Sequence, residues 1–163
     1  LVASSTIIQR CFRELTAAAS SMMCSMATTT RTLILDAYVT GFSQNARAQL
    51  FFNGDQGSAR YTYRQFEGFV QTDISGASGS TLVNLWNTGD TNPAHIHCEV
   101  TNTKGQNKAG ECNMTIAILP VGTPSTAQIY FTYNGPNQIT SVSLSSTAGN
   151  LNASTTISVY GMQ

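Results

Sequence analysis

Charge is what this chain has least of. Charged side chains make up 10% of its 163 residues, eight basic against eight acidic, for a formal net charge of zero. An average soluble chain carries about a quarter. Without a basic excess there is no electrostatic footprint for nucleic acid, so no nucleic-acid partner is expected. A neutral surface also has little colloidal repulsion, which suits a protein that works packed against neighbours. Lysine is reduced to Lys104 and Lys108, and Trp86 is the single tryptophan. No apolar run approaches the roughly 18 residues of a membrane span, so no membrane partner is expected either. The opening Leu1-Val2-Ala3-Ser4-Ser5 lacks the basic start and long apolar core of a secretion signal. It also starts without an initiator Met, so a missing upstream segment is expected.

Several chemistries are absent as patterns. No Gly-x-Ser-x-Gly elbow occurs, so serine, histidine and aspartate are present without the turn that makes a nucleophile of them. Asn53-Gly54-Asp55-Gln56-Gly57 lacks the Gly-Lys-Ser/Thr ending of a phosphate loop. No two carboxylates have a spacing that marks glycoside cleavage, although Asp36 and Glu99 are free to meet in the fold. The four cysteines fit no zinc spacing. They allow three pairings, with Cys98 placed to face Cys112 across a Gly-rich loop and Cys11 to approach Cys24. Four in this length is no disulfide scaffold, and buried apolar thiols are the expectation.

What the chain does contain is strand. Leu33, Leu35, Ala37 and Val39 alternate with Ile34, Asp36 and Tyr38. His95-Ile96-His97-Cys98-Glu99-Val100 alternates likewise, with Ile96, Cys98 and Val100 inward and His95, His97 and Glu99 outward. Further strands are expected at Thr81–Trp86, with Trp86 filling the core, and at Asn113–Leu119, Ala127–Tyr133, Ile139–Ser145 and Thr155–Gly161. Ala48–Phe52 and Ala59–Arg64 flank Asn53-Gly54-Asp55-Gln56-Gly57-Ser58, which reads as a long-loop β-hairpin. Its turn suits Ca²⁺ or a sugar in principle, but a plain turn is the commoner use of such residues. Ser75–Ser80 has linker composition and is expected to be an exposed loop. Asn102–Gly110 is read as a polar loop. Residues 8–26 are ambiguous: Ile8, Phe12, Leu15, Ala19 and Met26 recur at helical spacing, while paired serines argue against a helix.

With turn residues at intervals of roughly 8–15 and no αβ alternation, the fold class is all-β. The expectation is an antiparallel β-sandwich, jelly-roll-like, of about nine to eleven short strands. One domain is expected over 1–163, with 1–27 an N-terminal arm or edge strands. His95, His97 and Glu99 are the weak metal candidates, since residues two apart on a strand project from one face about 6.6–6.8 Å apart. A polar sheet face is the more ordinary reading, so no metal and no cofactor is assigned. Asn113-Met114-Thr115 and Asn152-Ala153-Ser154 match the glycosylation triplet.

Phe51-Phe52-Asn53-Gly54-Asp55-Gln56-Gly57-Ser58, followed by Tyr61-x-Tyr63, resembles a turn found in small virion structural proteins of tailed bacteriophages. Leu1–Thr6, Thr32–Tyr38, Ile139–Leu144 and Thr156–Gly161 resemble their opening strand, the strand before the turn and the closing pair. Where that group carries an Ile-Pro before its second main strand, this chain has Met26-Ala27-Thr28. The resemblance implies that Ser21–Met26 is a strand rather than a helix end. It implies a non-enzymatic subunit with no catalytic residues, a homotrimer that decorates and cements the capsid against the major capsid protein or other virion proteins. The implied location is the virion, with assembly in the host cytoplasm. The alternative is a receptor-binding module of a tail or fibre tip with a host-surface glycan as ligand, marked by a concave cluster of exposed aromatics among Asn and Asp. A metal-dependent enzyme using His95 and His97 stands third.

Overall fold

The computed structural model describes residues 7–26, 30–56, 59–67, 73–80, 83–85, 92–117 and 124–163. Among them are twelve strands: β1 (Ile7–Glu14), β2 (Ser21–Ser25), β3 (Thr32–Val39), β4 (Ala48–Phe52), β5 (Tyr61–Glu67), β6 (Asp73–Ser80), β7 (Val83–Asn84), β8 (Ala94–Thr101), β9 (Lys108–Ile116), β10 (Ser125–Tyr133), β11 (Ser141–Ser146) and β12 (Thr156–Met162). They form two antiparallel sheets, one of eight strands in the order β1-β12-β3-β8-β9-β10-β5-β6 and one of four in the order β2-β11-β4-β7. The fold is an all-β sandwich.

Alternation decides which face is packed. Leu33, Leu35, Ala37 and Val39 of β3, Ile96, Cys98 and Val100 of β8, and Ile129, Phe131 and Tyr133 of β10 are buried. Met22, Cys24, Leu50, Phe52, Val142 and Leu144 meet them from the smaller sheet in one continuous core. A sheet packed on one side and open on the other is what such an alternating pattern produces.

Four expectations are corrected. The Ala48–Phe52 and Ala59–Arg64 segments do not form a hairpin. β4 pairs with β11 and β7 in the four-stranded sheet, whereas β5 pairs with β10 and β6 in the larger one. The chain therefore turns a corner from Asn53 to cross from one sheet to the other, about 10 Å in a sandwich. The physical reason lies in the flanks. Phe52, Tyr61 and Tyr133 are all buried, and their rings gather across the core with centroids 4.9–6.1 Å apart, a use of aromatic area that a hairpin would forgo.

The second correction concerns Ser75–Ser80, which belongs to edge strand β6 rather than to a loop, because β5 offers it a backbone ladder that needs no side-chain pattern. The third is that β9 begins at Lys108, inside the stretch read as a polar loop. The fourth is that the cysteines are not thiols. Cys11 is bonded to Cys24 and Cys98 to Cys112. The first bond ties β1 of one sheet to β2 of the other, and the second links directly opposed residues of β8 and β9. Burial drew the cysteines together in pairs rather than apart.

The ambiguity over residues 8–26 resolves into strands β1 and β2, each at an edge of its sheet. The serines of the second segment explain why: in β2 the burial alternates, with Ser21, Met23 and Ser25 outward and Met22 and Cys24 inward. The Leu1–Thr6 strand, the Met26-Ala27-Thr28 departure beyond Met26, and Trp86 lie outside the described residues.

Candidate functional site

Two surfaces carry chemistry. The first is the open face of the eight-stranded sheet, where strand register lines outward residues into rows. Arg10, Tyr160 and Ile34 lead across β1, β12 and β3 to Glu99, Glu111, Tyr130 and Arg64 on β8, β9, β10 and β5. The Arg10 guanidinium lies 5.3 Å over the Tyr160 ring, and Phe66 meets Tyr130 edge-on at 6.1 Å. Glu99 and Glu111 stand directly opposite each other, both exposed, with no ion pair to either among the described residues. Like charges so placed are mildly destabilising. Phe12, Tyr38 and Tyr130 remain 51%, 48% and 44% exposed on this face.

The metal candidates lie on this same face, as their alternation requires. His97 is engaged by Asp36 of β3, Nδ1 to Oδ1 at 2.7 Å, a cross-strand pair that is partly exposed. His95 and Glu99 do not join it. Among the described residues no three histidine, cysteine or carboxylate side chains converge as metal ligands. Asp36 and Glu99, the carboxylates free to meet, occupy different rows of the face, Asp36 opposite His97 and Glu99 opposite Ile34.

The second surface is a polar groove at the end of the sandwich where the β4–β5 corner, the β8–β9 loop and the β10–β11 connection meet. One part, about 510 Å³, is lined by Asn53, Lys104, Asn137, Gln138 and Thr140. The adjoining part, about 360 Å³, adds Gly54, Asp55, Arg60, Tyr133 and Pro136. Most of these polar groups are occupied in holding the loops together. Asn53, at φ 55°, donates through Nδ2 to the Gln138 carbonyl at 3.0 Å. Its Oδ1 accepts from the Thr140 N–H at 2.8 Å, the Thr140 hydroxyl at 3.2 Å and the Ser141 N–H at 3.2 Å. Gln138 donates to the Thr30 and Asn102 carbonyls. Fully buried Asn102 donates to the Thr30 hydroxyl and the Ile139 carbonyl, and accepts from the Ile139 N–H.

Lys108 extends this network. It is 0% exposed, and its Nζ donates to the Gln106 and Gly135 carbonyls, each at 2.7 Å. Burial pushes its ammonium below the usual lysine value. Across the groove Asp55 takes Arg60 at 3.3 Å and the Tyr133 hydroxyl at 3.2 Å. Burial raises the Tyr61 and Tyr133 hydroxyls above their ordinary value, and the Asp55 charge adds to the shift at Tyr133. Sequence reading missed these amide clamps and the buried lysine, since a single polar residue in a loop has no period to betray it. The Asn-Gly-Asp turn itself was visible.

No protein-family model matches the chain, and no curated protein matches it. Among solved structures it is similar to a variant fructofuranosidase from Schwanniomyces occidentalis complexed with fructosylnystose, at 6% identity and TM-score 0.33, over 100% of this chain and 35% of that one. It is also similar to scytalido-glutamic peptidase with a transition-state analogue inhibitor, at 13% identity and TM-score 0.26, over 93% of this chain and 66% of that one. A third likeness is to the infectious bursal disease virus Gx strain, at 12% identity and TM-score 0.12, over 96% and 40%. The chain thus spans about a third of the first of these. Scores this low carry no argument about function.

Proposed function

We propose that the protein is a non-enzymatic virion structural subunit of the capsid decoration or cement kind, acting as a trimer by covering sheet faces and edges against neighbouring copies and the shell beneath. The observation that carries this reading is the eight-stranded sheet, packed on one side and, among the described residues, open on the other, with three large aromatic residues standing near half exposed on the open face. Such a face is built for burial against a partner, in contacts that for obligate assemblies reach about 2,000 Å² or more. The two disulfides suit a protein that works outside a reducing cytoplasm. A subunit assembled in the host cytoplasm closes them after release, as virion surfaces allow.

The second reading, a glycan-binding module, draws on the end groove, where Lys104 and Asn137 are exposed beside the Asn53 corner. It is the weaker of the two, because Asn53, Gln138 and Thr140 are already engaged with one another and the Tyr133 ring is buried. A stacking platform needs an exposed ring. Gold-labelled antibody on particles separates the readings. Label over heads supports decoration, label at tail or fibre tips supports the glycan module, and unlabelled particles overturn both.

A further inference from the structure

We propose that strand β2 pairs edge to edge with β2 of a second copy, antiparallel about a twofold axis at Met23, joining the two four-stranded sheets into one. This rests on the reading of the chain as an assembly subunit and names one edge by which it assembles. Two sheets leave four edges, and a sheet edge invites another strand unless something spoils it. β1 carries Arg10, Arg13 and Glu14, and its register shifts near its start. β6 meets its neighbour through two register shifts, and β7 is two residues long. β2 has none of these devices. Ser21-Met22-Met23-Cys24-Ser25 is uncharged, contains no proline and keeps an unbroken register against β11. Met23, at 52%, is the most exposed large apolar side chain among the described residues.

The parity of the hydrogen bonds fixes what that edge offers. The Met26 N–H donates to the Thr140 carbonyl and the Ser146 N–H to the Ser20 carbonyl, both in the β2–β11 register. Bonded pairs alternate along an antiparallel ladder, so Met22 and Cys24 turn their backbone groups toward β11. Those of Ser21, Met23 and Ser25 turn to the open side, where none has a partner among the described residues. All three residues are exposed. The Cys11–Cys24 bond leaves from the buried face of β2, so it holds β1 without filling that side.

A second β2 fits because the segment has the same pattern read in either direction. With Met23 opposite its own copy, each Ser21 faces a Ser25 and each Met22 a Cys24. Every N–H on the open side then meets a carbonyl on the open side, about six bonds in all. A twofold perpendicular to the sheet keeps the solvent-facing sides together, so the two Met23 side chains cover each other and the serines pair at both ends. Five residues span about 17 Å. Such a ladder covers less than the roughly 1,200 Å² of a stable interface, so the dimer is weak on its own and grows with concentration.

Sedimentation equilibrium of the intact chain tests the pairing with Met23→Lys and Met23→Glu. The wild type forms dimers, or even multiples of any trimer, in a fraction that rises with concentration. Each variant sets like charges side by side at the axis and weakens association by about tenfold or more. Circular dichroism confirms the fold, which a half-exposed side chain leaves intact. An equimolar mixture of the two variants sets lysine against glutamate and restores association to within about threefold of wild type. Amide exchange of the wild type at Met23 and Ser25 slows as the dimer forms, a reading that needs no variant. Wild type that stays monomeric or purely trimeric at high concentration, variants that associate normally, a mixture no better than its components, or exchange at these amides that ignores concentration would each overturn the pairing. Labelled heads with no response to the variants keep the assembly reading and discard this edge, and recovery in the mixture with unlabelled particles does the reverse.

Discussion

Asn53 shows how much one amide does here. Its side chain makes three hydrogen bonds to the β10–β11 connection and a fourth to Ser141 at the start of β11, and its backbone takes the left-handed conformation that Asn tolerates better than most residues. Asn53→Ala loses the bonds and strains the backbone, at an expected cost of about 2–4 kcal/mol in urea denaturation. Asn53→Gly relieves the strain while losing the same bonds, so it costs about 1 kcal/mol less. Equal stability of the wild type and the alanine variant would show that the clamp is dispensable. The buried hydroxyls of Tyr61 and Tyr133 set an alkaline limit. Their folded values are raised, so the folded chain keeps protons that the unfolded chain releases from about pH 10 upward. Their contribution is complete below pH 10 and is lost as pH climbs through the folded values. Lys108 acts in the opposite sense, since its depressed value makes the folded state hold fewer protons and its penalty fades as pH rises toward about 10.4. Above about pH 10.4 the lysine penalty has faded and only the tyrosines still act, so the urea midpoint falls as pH rises beyond that point. Tyrosinate absorbance for these two residues appears only with unfolding.

Strands are where sequence and structure agree most closely. Alternation at Leu33–Val39 and at Ile96–Val100 assigned both the strand and its buried face, because period 2 follows directly from backbone geometry. The β4–β5 connection misled because a corner between sheets and a hairpin turn draw on the same Asn and Gly. Only the partners of the flanking aromatics tell them apart. β6 was missed for a different reason: Gly and Ser show no alternation, and a ladder on β5 is a property of the neighbour. At the candidate surfaces, the direction of His95, His97 and Glu99 was legible, while the Asp36–His97 pair and the Glu99–Glu111 opposition required knowing which strand lies beside which. Gly110 on β9 makes an element-level test. A Cβ there meets the Phe131 ring on β10 and lies 2.9 Å from the Glu99 carbonyl on β8. Backbone and a packed ring yield poorly, so Gly110→Ala costs about 1–3 kcal/mol by thermal melting. An unchanged melting temperature would mean that the ring moves aside.

For the molecule as a whole, the two crosslinks differ in what they hold. Cys11–Cys24 joins the sheets at one edge across a separation of 13 residues, and Cys98–Cys112 reinforces a ladder that already exists. Replacing both members of the first pair with alanine is expected to cost about 3 kcal/mol. Cys98 and Cys112 are fully buried, whereas Cys11 is only partly so. Mild reductant on the folded protein therefore opens the inter-sheet bond first, which alkylation and mass mapping will read. Simultaneous loss of both would contradict the packing described. The sandwich thus packs its own core and leaves one broad face, with Phe12, Tyr38 and Tyr130 near half exposed, to other molecules. Whether that face is covered in the working assembly is the central question, and hydroxyl-radical footprinting addresses it at Phe12, Tyr38 and Tyr130. The account predicts strong protection of Tyr130, and of at least one of the other two, on intact particles relative to the dilute protein. Equal labelling of all three in both states would contradict it.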